Sequence, residues 1–350
     1  MAATLPKTYS AFRRAGATIE QTTEDLPADL GAHEVLIRVR AVSLNFRDVA
    51  MLHGRYPVAV EERGIAASDC AAEVVAAGPA AAAAFRPGDR VAPIFDLASL
   101  TGHEDGPVRA LGGDAPGVLR EYAVFADAHL VHLPAHLSWE EASTIACAGV
   151  TAWTALGNPV SVDRPHATAL LQGTGGVSMF ALLICLAAGI RPIITSSSDA
   201  KLAAVQKLSP EVRGVNYKTT PDVRAEALRL TDGRGVDVLV NNVGPASVPD
   251  DVASLRQRGV LSFVGFLGGV TGQLDPSLLF ALMSKKAKIQ GIGVGSKADF
   301  EQLNEFLEKH AVSLAPIIDR VFPFEKSKEA FDYLYSGKHV GKVVIKLGQD

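Results

Sequence analysis

The chain has 350 residues, of which 48% are apolar and 21% charged, with a formal net charge of −4 at pH 7. This length favours two domains over a single core, and the composition is that of a packed globular protein. The slight negative charge gives no electrostatic basis for binding nucleic acid or an anionic membrane, so neither partner is expected.

Targeting and disulfide signals are weak. The N-terminal residues have no uninterrupted apolar stretch of the kind that a secretory signal needs. The longest apolar run, Met179 to Ala188, is too short to cross a bilayer. Three widely spaced cysteines without a Cys-x-x-Cys pair argue against a disulfide framework or a zinc cluster. We therefore expect a cytoplasmic protein.

The first third of the chain reads as short strands without intervening helices. Residues 34–42 alternate apolar and polar side chains, which is typical of a half-buried strand. Further short strands are predicted at 72–76, 90–94 and 119–124, separated by turn residues such as Pro87-Gly88-Asp89. This pattern favours an antiparallel, barrel-like domain.

From Ser138 onward, strands and helices alternate. Ser138 and Glu141 predict a capped helix start. The pattern then predicts strands at 167–172, 192–195, 236–240, 260–264 and 288–292, and helices at 176–188 and 199–208. Strands interleaved with helices indicate a doubly wound parallel sheet, so the fold class is α/β.

The C-terminal residues again predict strands like those of the first domain. A helix is predicted at 299–310, followed by strands at 320–324 and 340–345. These strands are expected to rejoin the first domain. The predicted organisation is therefore a discontinuous domain of residues 1–130 and 300–350, with a nucleotide-binding domain of residues 131–299 inserted in it.

A glycine-rich turn lies where the first strand of the alternating region meets its helix. The pattern Gly173-x-Gly175-x-x-Ser178 is a dinucleotide-binding signature whose last glycine is replaced. The first glycine permits a tight turn, and the second lets the backbone approach a phosphate. Ser178 is small enough for close packing of helix on strand. This order places backbone N–H groups and a helix N-terminus where a pyrophosphate can bind.

The end of the next strand predicts which dinucleotide binds. An NAD site would place Asp or Glu there to accept from the ribose hydroxyls. This chain instead has Ser196, Ser197 and Ser198, followed by Lys201. Hydroxyls, an ammonium and a helix N-terminus favour a 2′-phosphate, which indicates NADP(H). Asp199 opposes that anion unless it points away, and a serine-rich helix cap is the alternative interpretation.

Polar residues of the first domain supply the candidate catalytic groups. Asn45, Asp48 and Tyr56 lie in the stretches Ser43–Asp48 and His53–Pro57, near Arg47. An Asn-x-x-Asp pair between a strand and a helix can equally be a helix cap, and the residues alone leave both interpretations open.

Taken together, these segments resemble the zinc-independent, quinone-oxidoreductase-like branch of the medium-chain dehydrogenase/reductase superfamily. The motifs that carry the resemblance span nearly the whole chain and are residues 41–48, 85–91, 148–153, 173–178, 216–218, 264–267 and 341–344. The resemblance implies a GroES-like β-barrel domain and a Rossmann domain, with the active site in the cleft between them.

The resemblance also assigns the cofactor residues. It implies that Gly175, Gly176 and Val177 approach the pyrophosphate, and that Ser197, Lys201 and Tyr217 surround the 2′-phosphate. It further implies that Thr151 touches the carboxamide, that Lys342 closes the cofactor from the first domain, and that Asn45 and Tyr56 lie beside the nicotinamide. The residues implied at the nicotinamide end are Asn242, Gly244, Phe266, Leu267 and Val294 to Ser296.

Metal binding is not expected. Zinc-binding relatives carry a cysteine on the segment that here reads Asn45-Phe46-Arg47, and Gly-His-Glu where this chain has Ala67-Ser68-Asp69. Gly102-His103-Glu104 lies in a polar loop without a nearby cysteine. His129, His132 and His136 are interpreted as surface or capping residues, and Cys70 as a buried filler rather than a nucleophile.

The sequence thus predicts a zinc-free, NADPH-dependent reductase that transfers hydride to a quinone, enone, aldehyde or ketone. The pocket segment Ile65 to Glu73 departs from the pattern of the branch. Two alternatives stay open: a redox-neutral isomerase or cyclase on the same fold, and a non-catalytic NADPH-binding module. The strand-rich stretch 260–294 is expected to pair across a two-fold axis in a homodimer.

Overall fold

The computed structural model describes residues 5–58, 60–158, 167–271 and 275–348, and these form two compact units. The first unit consists of Met1–Val150 and Gly295–Asp350, and the second of Thr151–Val294. Because the first unit draws on both ends of the chain, residues near 45 and near 342 share one fold.

Strands and helices are numbered in chain order within these residues. The strands are β1 (Thr8–Ala15), β2 (Thr18–Asp25), β3 (Glu34–Leu44), β4 (Asp69–Ala77), β5 (Arg90–Pro93), β6 (Tyr122–Ala126), β7 (Leu130–His132), β8 (Thr168–Leu171), β9 (Arg191–Ser196), β10 (Arg213–Asn216), β11 (Val236–Asn241), β12 (Leu255–Phe263), β13 (Lys288–Gly291), β14 (Ile318–Pro323) and β15 (Lys342–Lys346). The helices are α1 (Phe46–Leu52), α2 (Trp139–Ala142), α3 (Val150–Ala155), α4 (Gly176–Ala188), α5 (Asp199–Gln206), α6 (Val223–Leu230), α7 (Val248–Ser254), α8 (Ser277–Lys285), α9 (Lys297–Lys309) and α10 (Ser327–Tyr335).

The first unit is built around the long strand β3. β3 pairs antiparallel with β4, β6 and β15, and the described strands of this sheet follow the order β14-β15-β3-β4-β5-β7. Alternate side chains of these strands enter one apolar core, which includes Val35, Ile37, Leu44, Val74, Phe125, Val343 and Ile345. This antiparallel arrangement is the barrel-like architecture that the first third of the sequence predicts.

The second unit is a parallel sheet covered by helices. Its described strands follow the order β10-β9-β8-β11-β12-β13, and every neighbouring pair is parallel. The order reverses between β8 and β11, and such a switch point opens a crevice at the carboxyl ends of the strands. The apolar core of the unit includes Leu170, Ile193, Val215, Val236, Leu239, Val252 and Leu261. The predicted α/β class, with a doubly wound sheet, is confirmed.

Several predicted ends agree closely with the structure. α4 covers residues 176–188 as predicted, and it ends at Gly189, whose left-handed φ of 73° completes the C-cap. Ser138 Oγ accepts the N–H of Glu141 at 3.1 Å, which is the predicted helix cap. The β1–β2 hairpin was not predicted, because its strands carry many charged residues. Arg13 and Glu24, for example, form an ion pair across it at 2.7 Å.

The domain boundaries differ from those predicted. The structural boundary falls after Val150 rather than after residue 130. β7 pairs antiparallel with β5, and the capped helix α2 packs on β3 and β4, so residues 131–150 belong to the first unit. The second boundary falls after Val294, five residues before the predicted end of the inserted domain. No helix in the described ranges is long and apolar enough to cross a bilayer.

Candidate functional site

The glycine turn joins β8 to α4. Gly173 has a φ of 79°, a left-handed conformation that glycine adopts without strain. A Cβ added to Gly175 would meet no atom within 4 Å, so this backbone borders open space. Gly175 is the N-cap of α4 and supplies no capping side chain. The start of α4 therefore fits the pyrophosphate of a dinucleotide, which binds through backbone N–H groups at helix N-termini.

Ser178 stabilises this turn in place of the third glycine of the signature. Its side chain is buried, and Oγ donates to the carbonyl of Gln172 at 2.7 Å. Asn242 Nδ2 in turn donates to Ser178 Oγ at 3.0 Å and to the Gln172 carbonyl at 3.2 Å. Asn242, predicted as a cofactor residue, thus ties the end of β11 to the turn.

The loop after β12 packs against the loop after β11. The N–H of Leu267 donates to the carbonyl of Asn242 at 3.0 Å. Gly244 has a φ of 118°, and a Cβ added there would lie 2.6 Å from the Gly269 carbonyl and 3.3 Å from Phe266 Cα. The structure therefore brings together the predicted cofactor residues Asn242, Gly244, Phe266 and Leu267 at the carboxyl edge of the sheet.

A buried network supports this edge from within. Gln172 Oε1 accepts the N–H of Asn242 at 3.2 Å, and its Nε2 donates to Asp251 Oδ1 at 2.8 Å. Asp251 also accepts from Asn241 Nδ2 at 2.6 Å and from Ser247 Oγ at 2.8 Å. Burial raises the pKa of Asp251 to about 6, although these donors favour its charged form. The network links the residues that follow β8 and β11, the two strands at the switch point.

The predicted 2′-phosphate residues lie at the ends of β9 and β10. Ser198 is the N-cap of α5, and its Oγ accepts the N–H of Lys201 at 3.4 Å. Ser196 is buried, its Oγ accepts the N–H of Ser198 at 3.3 Å, and its carbonyl accepts the N–H of Tyr217 at 3.1 Å. Ser197 is partly exposed. Ser196 and Ser198 therefore build the loop that presents Ser197.

Asp199, the acid that opposes a phosphate at this position, is engaged by a neighbour. Asn216 Nδ2 donates to Asp199 Oδ1 at 2.7 Å, and Asn216 Oδ1 accepts the N–H of Lys218 at 3.0 Å. These two contacts fix the orientation of the Asn216 amide. The first of them also gives the Asp199 carboxylate a hydrogen-bond donor within the fold.

Thr154 connects two further predicted residues, Thr151 and Val294, through its side-chain hydroxyl. Thr154 Oγ1 lies 3.2 Å from the carbonyl of Thr151 and 2.5 Å from the carbonyl of Val294. Val294 has a φ of 65°, which is an outlier for a β-branched residue. Strain of this kind is characteristic of functional segments. Thr154 is thus the link between Thr151 and Val294 that the sequence did not indicate.

In the first unit, strand pairing places Lys342 beside Asn45. Val343 lies opposite Leu44 in the β15–β3 pair, so the residue before one and the residue after the other are neighbours. Lys342 is only 2% exposed, and its Nζ donates to Asn45 Oδ1 at 2.5 Å. The same ammonium lies 3.9 Å from Asp69 Oδ2. A fixed positive charge therefore lies at the predicted catalytic asparagine.

Ser68 and Asp69 complete this polar cluster. Asn45 Nδ2 donates to Ser68 Oγ at 3.3 Å, and Ser68 Oγ donates to Asp69 Oδ1 at 2.8 Å. The N–H of Cys147 donates to Asp69 Oδ2 at 3.2 Å. Burial raises the pKa of Asp69, while Lys342 lowers it. Ala67 enters the cluster with a left-handed φ of 65°, a strained conformation for a residue with a Cβ.

Asp48 lies in the first turn of helix α1 and is buried rather than facing open space. Its Oδ2 accepts the N–H of Asn45 at 2.8 Å. Its Oδ1 lies 3.8 Å from the Arg47 guanidinium, and burial raises the pKa of the carboxyl to about 6. These contacts correspond to the helix-cap interpretation of the Asn-x-x-Asp pair, with the Asn45 side chain left to the polar cluster.

Tyr56 packs on a buried guanidinium. The Cζ atom of Arg47 lies 5.6 Å from the Tyr56 ring centroid and 4.8 Å from that of Phe95. Arg47 Nη1 also donates to the Leu111 carbonyl at 2.8 Å. The tyrosine is partly exposed, so its ring is held by Arg47 while its edge reaches solvent.

The remaining candidates have local structural partners. Ser296 is the buried N-cap of α9, and its Oγ donates to Asp299 Oδ2 at 2.7 Å. His132 Nε2 lies 3.2 Å from the Ala84 carbonyl, and His136 Nε2 lies 3.1 Å from the Val312 carbonyl. Cys70 is fully buried, and burial raises the pKa of its thiol, which disfavours the nucleophilic thiolate.

A zinc ion does not fit the polar cluster. Zinc sites use thiolate, imidazole and carboxylate ligands. Here the segments 45–47 and 67–69 offer an amide, a hydroxyl and one carboxylate, and the ammonium of Lys342 lies among them. Across the described ranges, no group of three or more His, Cys, Asp and Glu side chains is arranged to hold a metal.

The comparisons with known proteins assign the chain to a class of oxidoreductases. Residues 31–135 match the alcohol dehydrogenase GroES-like domain, and residues 176–309 match the zinc-binding dehydrogenase domain. A zinc-type alcohol dehydrogenase-like protein of Schizosaccharomyces pombe is 37% identical over 92% of this chain and 93% of its own length. The chain belongs to the medium-chain dehydrogenase/reductase superfamily.

Solved structures support the same assignment. A structure from Sinorhizobium meliloti 1021, described as an alcohol dehydrogenase, has a TM-score of 0.85 and 32% identity, over 98% of this chain and 100% of that one. An NAD-dependent alcohol dehydrogenase has a TM-score of 0.82 and 28% identity, over 97% and 100% of the two chains. The protein is an oxidoreductase of this superfamily with a small-molecule substrate and a nicotinamide cofactor.

Sequence reasoning missed the residues that support the site from behind. Asp69, Thr154, Gln172 and Asp251 are buried or half-buried and act on the predicted residues through hydrogen bonds. Only the segment containing Asp69 gave a signal, since residues 65–73 depart from the pattern of the branch. The others gave no local signal, because each has a partner that is 70 or more residues away in sequence.

Proposed function

We propose that this protein is an NADPH-dependent, zinc-free reductase of quinones, enones, aldehydes or ketones. The observation that carries the proposal is the pair of loops after β8 and β9: an open glycine turn at a helix start, followed by a serine loop in place of the ribose-binding acid. When bound, the cofactor supplies the hydride.

The residues proposed to hold NADPH lie at the carboxyl edge of the parallel sheet. The backbone at Gly173, Gly175, Gly176 and Val177 would bind the pyrophosphate. Ser197 and Lys201 would bind the 2′-phosphate with Tyr217, whose side chain is exposed beside them. The engagement of Asp199 by Asn216 supports this preference, because it leaves that carboxylate less able to compete as a ribose acceptor.

The polar groups of the first unit are proposed to stabilise the product oxyanion. Hydride addition to a carbonyl or an enone creates negative charge on oxygen, which amide and phenol donors stabilise. Asn45 and Tyr56 are the partly exposed donors of this unit among the predicted residues. Tyr56 or water would then return the proton. Asp48, which is buried behind Asn45, would position it.

Zinc independence is proposed from the donor chemistry of the polar cluster. A buried ammonium and an amide replace the ligands that a zinc ion would need, so the electrophilic role falls to fixed N–H and O–H donors. Activity should therefore survive exhaustive treatment with a zinc chelator.

The deciding experiment is a substrate screen followed at 340 nm. Purified protein, incubated with NADPH or NADH and a panel of quinones, enones, aldehydes and ketones, should consume NADPH stoichiometrically with product. Product formation without NADPH consumption would instead indicate a redox-neutral isomerase or cyclase. A rise in melting temperature with NADPH but no turnover of any substrate would indicate the non-catalytic NADPH-binding module, and no rise would contradict the cofactor assignment.

We also infer a cytoplasmic homodimer. β13 is an edge strand of the described sheet, and Ile289 on it is 39% exposed. Phe280 and Met283 on α8 are each 72% exposed, so an unpaired strand edge lies in the same unit as an apolar helix face. A second copy, paired edge to edge about a two-fold axis, would cover both. Light scattering of the wild type and of Met283→Glu tests this inference.

A further inference from the structure

Four side chains of the first unit form a closed ring of polar contacts. Lys342 donates to Asn45 Oδ1, Asn45 donates to Ser68 Oγ, and Ser68 donates to Asp69 Oδ1. The ring closes where Asp69 Oδ2 lies 3.9 Å from the Lys342 ammonium. The four come from three separate segments, the end of β3, the start of β4 and the start of β15, and they meet at one end of strand β3.

Burial differs sharply among the members of this ring. Lys342 is 2% exposed, and Ser68 and Asp69 are 0% exposed. Asn45 alone among the four is partly exposed. A buried ion pair costs desolvation free energy and is weak evidence for stability, so a role outside stability is a reasonable expectation. Asn45 is therefore the member of the ring that a ligand can touch.

We propose that Lys342 is a positioning residue that locks and polarises the amide of Asn45. With Oδ1 bonded to an ammonium, the amide cannot flip without placing its NH2 group against that cation. Lys342 engages the carbonyl oxygen and Ser68 Oγ accepts one of the two N–H groups, so the locked amide has its second N–H left to donate to a ligand. A cation on the carbonyl oxygen also makes these N–H groups stronger donors, because hydrogen bonds in a chain polarise one another.

This proposal rests on the proposed function, in which Asn45 donates to a developing oxyanion. It adds the reason why that asparagine acts only as a donor, and it therefore selects substrates that gain negative charge on oxygen. Asp69 supplies the counter-charge, with its Oδ2 3.9 Å from the ammonium. Ser68 fixes the nitrogen side of the amide, as Lys342 fixes its oxygen side.

The test separates this role from direct cofactor binding. Lys342→Met removes the charge and keeps the apolar stem. Lys342→Met combined with Asp69→Asn, which leaves no unpaired buried carboxylate, is the second variant should the first fail to fold. For each, kcat, KM and the dissociation constant of NADPH are measured with the melting temperature. We expect kcat to fall at least tenfold at saturating NADPH, while the NADPH dissociation constant changes less. Weaker NADPH binding with unchanged kcat would overturn the proposal.

A double-mutant cycle with Asn45→Ala provides the sharper criterion. If Lys342 acts through Asn45, Lys342→Met causes no further loss of kcat when Asn45 is already alanine. Additive losses would overturn the proposal, whereas an Asn45→Ala variant with wild-type kcat would overturn the proposed function itself. Lys346→Met is the matched control, because it removes an ammonium from the same strand outside the ring, where Lys346 pairs with Glu140 at 3.3 Å.

Discussion

Asn242 Nδ2 donates to Ser178 Oγ at 3.0 Å, which couples the end of β11 to the first turn of α4. Asn242→Ala and Ser178→Ala both remove this bond, and each should weaken NADPH binding about tenfold because the glycine turn loses its support. Ser178 is buried, so its effect cannot come from touching the cofactor. Calorimetric titration with NADPH measures the change.

A matched control for that pair is Asn304→Ala. It removes another largely buried amide bond, from Nδ2 to the His132 carbonyl at 2.8 Å, in the first unit. This variant should lose a comparable amount of stability, about 1 kcal/mol, and keep its NADPH affinity. Equal NADPH affinities in all three variants and the wild type would contradict the proposed coupling.

A substitution at Gly175 should abolish cofactor binding without preventing folding. A Cβ at this position meets no protein atom within 4 Å, so Gly175→Val should fold and lose about 1 kcal/mol as a poorer N-cap. Its side chain would fill the space proposed for the pyrophosphate and abolish the rise in melting temperature on adding NADPH. Gly106→Val also enters open space but lies in the first unit, and it should retain that rise.

Cofactor preference should depend on Ser197 and Lys201. Lys201→Met removes an ammonium proposed to bind the 2′-phosphate, and it should lower kcat/KM for NADPH tenfold to hundredfold, by the value of about 1.5–3 kcal/mol for a charged hydrogen bond. The value of kcat/KM for NADH should change little, because NADH has no 2′-phosphate. Ser197→Asp should raise the preference for NADH further. Lys207→Met, at the other end of α5, should change neither ratio.

Removing either proposed oxyanion donor should slow turnover. Asn45→Ala and Tyr56→Phe are each expected to lower kcat about a hundredfold, since a donor of this kind contributes roughly 3 kcal/mol to the transition state. Tyr333→Phe is the control, because that hydroxyl donates to Asp319 at 2.7 Å at an exposed position. Unchanged turnover in both site variants would rule out the assignment.

Asp251 should give the stability a defined pH dependence. Because its pKa is raised to about 6 in the folded protein, its ionisation is less favourable there than in the unfolded chain. The contribution of Asp251 to the free energy of unfolding therefore decreases as pH rises from about 4 to 6 and is constant above that range. When the pH is lowered from about 6 to 4, the free energy of unfolding of the wild type should rise on the order of 2 kcal/mol relative to that of Asp251→Asn. A pH-independent difference in unfolding free energy would contradict this.

The elements that the sequence predicts correctly are those whose signals lie among neighbouring residues. The period of apolar residues, the glycine turn and the cap at Ser138 each depend on neighbours in sequence, and the structure confirms the elements that they predict. The β1–β2 hairpin was missed because its charged residues, such as Arg13 and Glu24, conceal the alternation. Residues 131–150 were misplaced because their strand pairs with β5, which is far away in sequence.

The support of the site depends on contacts that no local pattern indicates. Lys342 and Asn45 are 297 residues apart, and Gln172 and Asp251 are 79 apart. Asp48 shows that a local pattern can also be ambiguous. Its spacing from Asn45 is compatible with a site residue and with a helix cap. Only the packing distinguishes these, since burial removes Asp48 from solvent while the Asn45 side chain turns toward Lys342.

The strand register that pairs β15 with β3 has a consequence for protein engineering and for synthesis on the ribosome. Asp69 is buried with its counter-ion supplied by a residue 273 positions later. A fragment that ends before β15 would bury this carboxylate without its cation, which is strongly destabilising. Exchange of the first unit between relatives must therefore transplant both of its separated pieces together, and a nascent chain can complete this unit only after the second unit has emerged.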